Sequence, residues 1–101
     1  MLMFGLKDRD IRNIQKALSM FPNITKAIIF GSRAMGNYKN ASDIDIAIQL
    51  NENNLNTIIK ISGILNEEMP IPFFVDVINL DMIKNKSLIE HINKEGKELP
   101  F

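Results

Sequence analysis

Seven residues, 24–30, lie between the break at Pro22-Asn23 and the glycine at position 31, and this interval constrains the fold more than any other. Proline and glycine close both ends, leaving too little length for a stable helix. Ile24, Ile28, Ile29 and Phe30 are branched or aromatic and suit a strand. The end of the run, Ala27-Ile28-Ile29-Phe30, does not alternate with polar residues, so burial on both faces is expected. A strand covered on both sides belongs in a sheet with further layers packed against it.

The rest of the chain supplies those layers. Ile11, Ile14, Leu18 and Phe21 recur at helical spacing, predicting an amphipathic helix over 8–20 with Asp8 available as its cap and Asp10 in its first turn. After Gly31, residues 32–37 suit a short helix, and 43–50 alternate as a second strand. Asn53 or Asn54 can cap a long helix carrying Leu55, Ile58, Ile59, Ile61, Ile64 and Leu65. Pro70 and Pro72 bracket a loop before a third strand over 73–80. Residues 82–95 read as a broken helical stretch with Leu88, Ile89 and Ile92 facing inward. Gly96 stops it, and Leu99-Pro100-Phe101 folds back as an apolar tail. The expectation is a single α/β domain over residues 1–101, a small mixed sheet flanked by helices.

Composition narrows the chemistry. Twelve basic and twelve acidic residues give zero formal net charge. A general nucleic-acid binder, which depends on clustered Lys and Arg, is therefore not expected. A single nucleotide needs only a local site and stays open. With no cysteine, thiolate sites are excluded, and with a single histidine zinc chemistry is nearly closed off, so any metal is expected to be hard and oxygen-ligated. The N-terminal segment turns charged within its first residues, too soon for a signal peptide. No run approaches the roughly 18 apolar residues of a membrane span. A cytoplasmic protein is expected.

Asp43 and Asp45 stand one residue apart at the start of the second strand, so both face one side while Ile44, Ile46 and Ile48 face the other. Two carboxylates about 7 Å apart repel by roughly 2 kcal/mol at an effective dielectric of about 20. A cation reverses that sign, and with these donors Mg²⁺ or Mn²⁺ is the expected ion. The plainer alternative is a half-exposed strand with two acids on its wet face. Asp76 bears on the choice. It interrupts Phe73-Phe74-Val75-x-Val77-Ile78, where an unpaired charge is costly. Arg33 or a lysine could pair with it. Alternatively, it joins the other two acids in a triad able to hold metal and deprotonate an attacking hydroxyl. Gly31 allows close backbone approach to a phosphate, Ser32 adds a donor, and Arg33 can pair with phosphate or carboxylate. If the first two strands run antiparallel, Gly31 and Asp43 lie at one end of the sheet, a geometry for nucleotidyl transfer.

Gly31-Ser32-Arg33-Ala34-x-Gly36, then Ser42-Asp43-Ile44-Asp45-Ile46, then Val75-Asp76-Val77 together resemble the minimal nucleotidyltransferases of the polymerase-beta superfamily. The resemblance spans most of the chain and implies a polymerase-beta palm-like fold. It implies that Gly31 and Ser32 contact a nucleoside triphosphate, with Arg33 and Ser42 in the same binding segment. It also implies that Asp43 and Asp45 bind two Mg²⁺ ions and that Asp76 completes the catalytic and metal-binding set. Many such proteins are antitoxins of HEPN-domain toxins, and some transfer AMP from ATP to a toxin tyrosine. Met35 departs from the pattern, where arginine is common. An antitoxin that only occludes its toxin, and nucleotidyl transfer to a small molecule, are the alternatives. A homo-oligomer is left open. His91 reads as a solvated or helix-end histidine, and Lys84, Lys86, Lys94 and Lys97 as a solvated face able to receive an acidic partner.

Overall fold

The first helix forms where apolar spacing predicts it, and a computed structural model describing residues 3–52 and 54–101 shows what that helix covers. Helix α1 (Asp8–Ser19) buries Ile11, Ile14, Ala17 and Leu18. Lys7 is its N-cap, so Asp8 lies inside the first turn and does not cap it. Strand β1 (Ile24–Phe30) follows, with the expected bounds, and runs into the short helix α2 (Gly31–Met35). Strand β2 (Ile44–Leu50) and helix α3 (Leu55–Gly63) come next. The Asn54 side chain accepts from the Asn56 amide and caps α3, while Asn53 lies outside the described residues.

Helix α3 widens into a π-helical turn, Ile64–Glu68, before strand β3 (Val75–Asn79). This turn aims Asn66 at the strand. Asn66 Nδ2 donates to the Val75 carbonyl at 2.8 Å, and the Val75 amide donates to Asn66 Oδ1 at 2.7 Å. The side-chain amide thus satisfies both backbone groups of Val75, as a neighbouring strand would. A 3₁₀ turn, Leu80–Met82, and helix α4 (Lys86–Glu95) complete the helical part. The sequence reading placed Leu80 at the end of the third strand and ran one broken helical stretch from Met82 to Glu95.

The sheet has the order β3-β2-β1 and then β4 (Lys97–Glu98) on the far side of β1. β1 pairs antiparallel with β2 and β4, whereas β2 and β3 are parallel, so the sheet is mixed as expected. The short β4 has no apolar signature and was not expected from the sequence. It forms because Gly96 ends α4 where a side chain would run into the Ile92 carbonyl and Ile28. Beyond it, Leu99 is buried and donates its amide to the Ala27 carbonyl at 2.8 Å.

Ile44, Ile46 and Ile48 are fully buried on one face, against α1 and α3. Each such side chain contributes on the order of 2 kcal/mol by leaving water. The opposite face carries a smaller cluster of Phe30, Ala47 and Ile92, which seats α4. Both faces of β1 are therefore covered, as its unbroken apolar run requires. Leu55 and Ile59 of α3 instead remain exposed, at 72% and 60%. Among the described residues, no helix is long and apolar enough to cross a membrane.

Candidate functional site

Antiparallel pairing of β1 and β2 sets Phe30 opposite Asp45, so Gly31 emerges at the end of the sheet where β2 begins. Parallel pairing of β2 and β3 sets Asp76 opposite Asp45. Partners in register project to the same face of a sheet. Asp43 precedes β2 by one residue and is exposed, two positions before Asp45 on the extended chain. All three carboxylates therefore collect at one sheet end, beside the turn at Gly31.

The approach of Asp45 to that turn is close. Gly31 has φ +75°, and a Cβ there would collide with Asp45 Oδ2. Glycine is required twice, for its backbone conformation and for the space that the carboxylate occupies. Burial pushes the Asp45 carboxyl above its ordinary value of 3.8, the nearby Asp76 and Asp43 push it further, and His91 acts in the opposite direction. The three acids and the imidazole thus share one electrostatic environment.

Asp76 reaches this environment by a different route from the one its sequence context suggests. β3 is the edge strand of the sheet, and Asp76 is exposed on it. Burial of an unpaired charge is not its constraint. Register with Asp45 is.

Arg33 departs most from expectation. Its guanidinium is not offered to a phosphate or a carboxylate, because it is only 2% exposed. Nε and Nη2 donate to the Ser42 carbonyl at 3.0 and 2.8 Å, and Nη1 donates to the Phe4 carbonyl at 2.8 Å. The cation sits 5.2 Å from the Tyr38 ring centroid and 4.4 Å from that of Phe73. Stacking and fixed donor geometry make this a structural rivet. Ser42 belongs to the same fastening. Besides receiving Arg33, its hydroxyl accepts the Lys39 amide at 2.8 Å, closing the loop that delivers Asp43. Ser32 is half-buried in α2, and Met35 is exposed.

His91, read from sequence as a solvated or helix-end histidine, packs against the turn at Gly31. Its Nε2 accepts the Gly31 amide at 3.0 Å, and its ring meets Phe30 edge-on at 6.2 Å. Proximity to Ile92 on the inward face of α4 was the available signal, but nothing in the sequence pairs position 91 with position 31.

Asp43, Asp45 and Asp76 fit a hard divalent cation by donor chemistry, being oxygen ligands whose mutual repulsion a cation relieves. Among the described residues, no three His, Cys, Asp or Glu side chains converge as a ready-made metal-ligand group. The acids share a face without forming a closed cage. An apolar groove of about 670 Å³, which none of the three acids lines, lies between α3 and α4, with Leu55, Ile58, Val77, Met82 and Leu88 in its lining.

Solved structures repeat this arrangement of strands and helices. A tri-AMPylated HEPN toxin of Shewanella oneidensis in complex with MNT antitoxin matches with a TM-score of 0.68 and 22% identity, over 90% of this chain and 69% of the other. A toxin–antitoxin structure with AMP-PNP matches at 0.63 and 23%, over 94% and 73%. A Sulfolobus solfataricus protein assigned as a nucleotidyltransferase matches at 0.51 and 24%, over 97% and 87%. At these identities the likeness is one of fold. No curated protein matches the chain. The family description "Polymerase beta, Nucleotidyltransferase" fits residues 12–100, nearly the whole sequence. The chain therefore belongs to the polymerase beta nucleotidyltransferase family, and its chemistry is nucleotidyl transfer.

Proposed function

We propose that this protein transfers AMP from ATP, with Mg²⁺, to a hydroxyl of a HEPN-type toxin and thereby acts as its antitoxin. The observation that carries the reading is the packing of the Asp45 carboxylate against Gly31, with Asp76 in register beside it. A triphosphate at the Gly31-Ser32 turn lies next to the carboxylates in this arrangement. Support for the acceptor comes from the fold relatives, one an AMPylated HEPN toxin with MNT antitoxin and another a toxin–antitoxin structure with AMP-PNP.

In the proposed reaction the acceptor oxygen forms a bond to the α-phosphorus. The bond from that phosphorus to the bridging oxygen breaks, and pyrophosphate leaves. In this reading Asp76, which is exposed on its edge strand, takes the acceptor proton. Asp43 and Asp45, with Asp76, would hold Mg²⁺, which when bound supplies charge neutralisation for the phosphates and the developing oxyanion. The Gly31-Ser32 turn orients the triphosphate, Gly31 by leaving room and Ser32 by its hydroxyl.

ATP labelled at the α- or the γ-phosphate tests the reaction class on a HEPN-domain toxin supplied as the partner. The reading expects label on the partner from α-labelled ATP only. Transfer of γ-label would make the reaction a phosphorylation and overturn it.

A further inference from the structure

We propose that His91 is a positioning residue that holds the Gly31 peptide, so that Gly31 serves the site through the space it leaves and not through its amide. The chain passes at this point from extended Phe30, at φ −136° and ψ −170°, to Gly31 at φ +75°. That reversal brings Gly31 under the Asp45 carboxylate. The Gly31 amide is the first of α2 and has no acceptor within the helix. His91 Nε2 provides one at 3.0 Å. In this bond the Gly31 N–H is the donor and Nε2 the acceptor.

The imidazole grips both residues of this peptide. Its edge packs on the Phe30 ring, with the planes at 74°, while Nε2 holds the next residue's N–H. Behind it, Ile92 is 2% exposed in the cluster with Phe30 and Ala47, which fixes α4 against the sheet. One hydrogen bond thus ties α4 to the turn that clears Asp45. Rotating the Phe30–Gly31 peptide would break that bond and alter the clearance over the carboxylate. Because the Gly31 N–H is already occupied, Ser32 is left as the donor residue of the turn. This deepens the proposed nucleotide reading and rests on it only where nucleotide affinity is concerned.

The hydrogen bond is measurable directly as a through-bond ¹⁵N–¹⁵N coupling between the Gly31 amide and His91 Nε2. The coupling is expected in the free protein and again with Mg²⁺ and AMP-PNP. Its absence from the free protein would overturn the assignment, as would its loss on adding the analogue, which would mean that phosphate takes the amide. Two variants extend the test. His91→Phe keeps a ring and removes the acceptor, while His91→Gln offers an amide oxygen near the Nε2 position. Calorimetry should show AMP-PNP binding weakened about tenfold in His91→Phe, the scale of one hydrogen bond, and largely restored in His91→Gln. Equal affinity in wild type and His91→Phe, or no recovery with glutamine, would contradict the role. If wild-type protein binds no analogue at all, the nucleotide reading fails, and the coupling in the free protein still decides the assignment.

Discussion

Arg33 and Asp45 illustrate how differently two charged residues beside one turn are used. Arg33 spends its donors on the carbonyls of Ser42 and Phe4 between two aromatic rings, so its contribution is to the fold. Arg33→Lys loses the forked geometry and is expected to lower unfolding free energy by about 2 kcal/mol in a denaturant titration. Nucleotide affinity of the folded variant should be unchanged. A drop in affinity at unchanged stability would return Arg33 to the phosphate. Asp45 does the opposite. Its carboxyl is raised above 3.8 by burial and by Asp76 and Asp43, so the fold holds this proton more tightly than the unfolded chain does. Stability is accordingly lost as pH rises through that range, and the ionised group costs stability at neutral pH. Asp45→Asn should melt at a higher temperature than wild type at neutral pH, with the difference closing below about pH 3.8, where both states are protonated. Mg²⁺ should raise the wild-type melting temperature and leave Asp45→Asn unmoved. A variant that melts lower than wild type at neutral pH would refute the strained carboxylate.

The elements differ in how far the sequence reveals them. β1 is bounded by local breakers, Pro22-Asn23 and Gly31, and therefore could be read to the residue. The Asp43 and Asp45 pair and the Gly31 turn were legible for the same reason, since strand alternation and a glycine stop are local signals. What could not be read depends on contacts between distant segments. β4 is two exposed polar residues, and its position follows from Gly96 packing on Ile28. The edge position of β3 is a matter of strand order, so Asp76 was singled out for a burial cost that it does not bear. Arg33 was read as a partner for phosphate or carboxylate because Phe4 and Phe73, which hold it, are far from it in sequence, and the contact of His91 with Gly31 was missed likewise. Asn66 belongs to this class too. Asn66→Leu removes two hydrogen bonds from the backbone of Val75, next to Asp76. It should cost about 1–3 kcal/mol in a denaturant titration. Unchanged stability would show that β3 does not depend on the clamp.

At the scale of the whole molecule, a neutral chain with a few acids gathered at one sheet end suits a small anionic cofactor bound through a cation better than a nucleic-acid track. Family membership defines the reaction as nucleotidyl transfer, and the turn at Gly31 and the register of Asp45 with Asp76 give the proposed transfer its geometry. The central claim is that neutralisation of a partner toxin follows from AMP transfer at these acids. Intact-mass spectrometry of the partner, after co-expression with wild-type protein, Asp43→Asn or Asp76→Asn, tests it most directly. The account predicts AMP increments on the partner with wild type alone, and loss of neutralisation in both variants. Neutralisation that persists in both variants, on a partner of unmodified mass, would contradict it and leave occlusion as the mechanism.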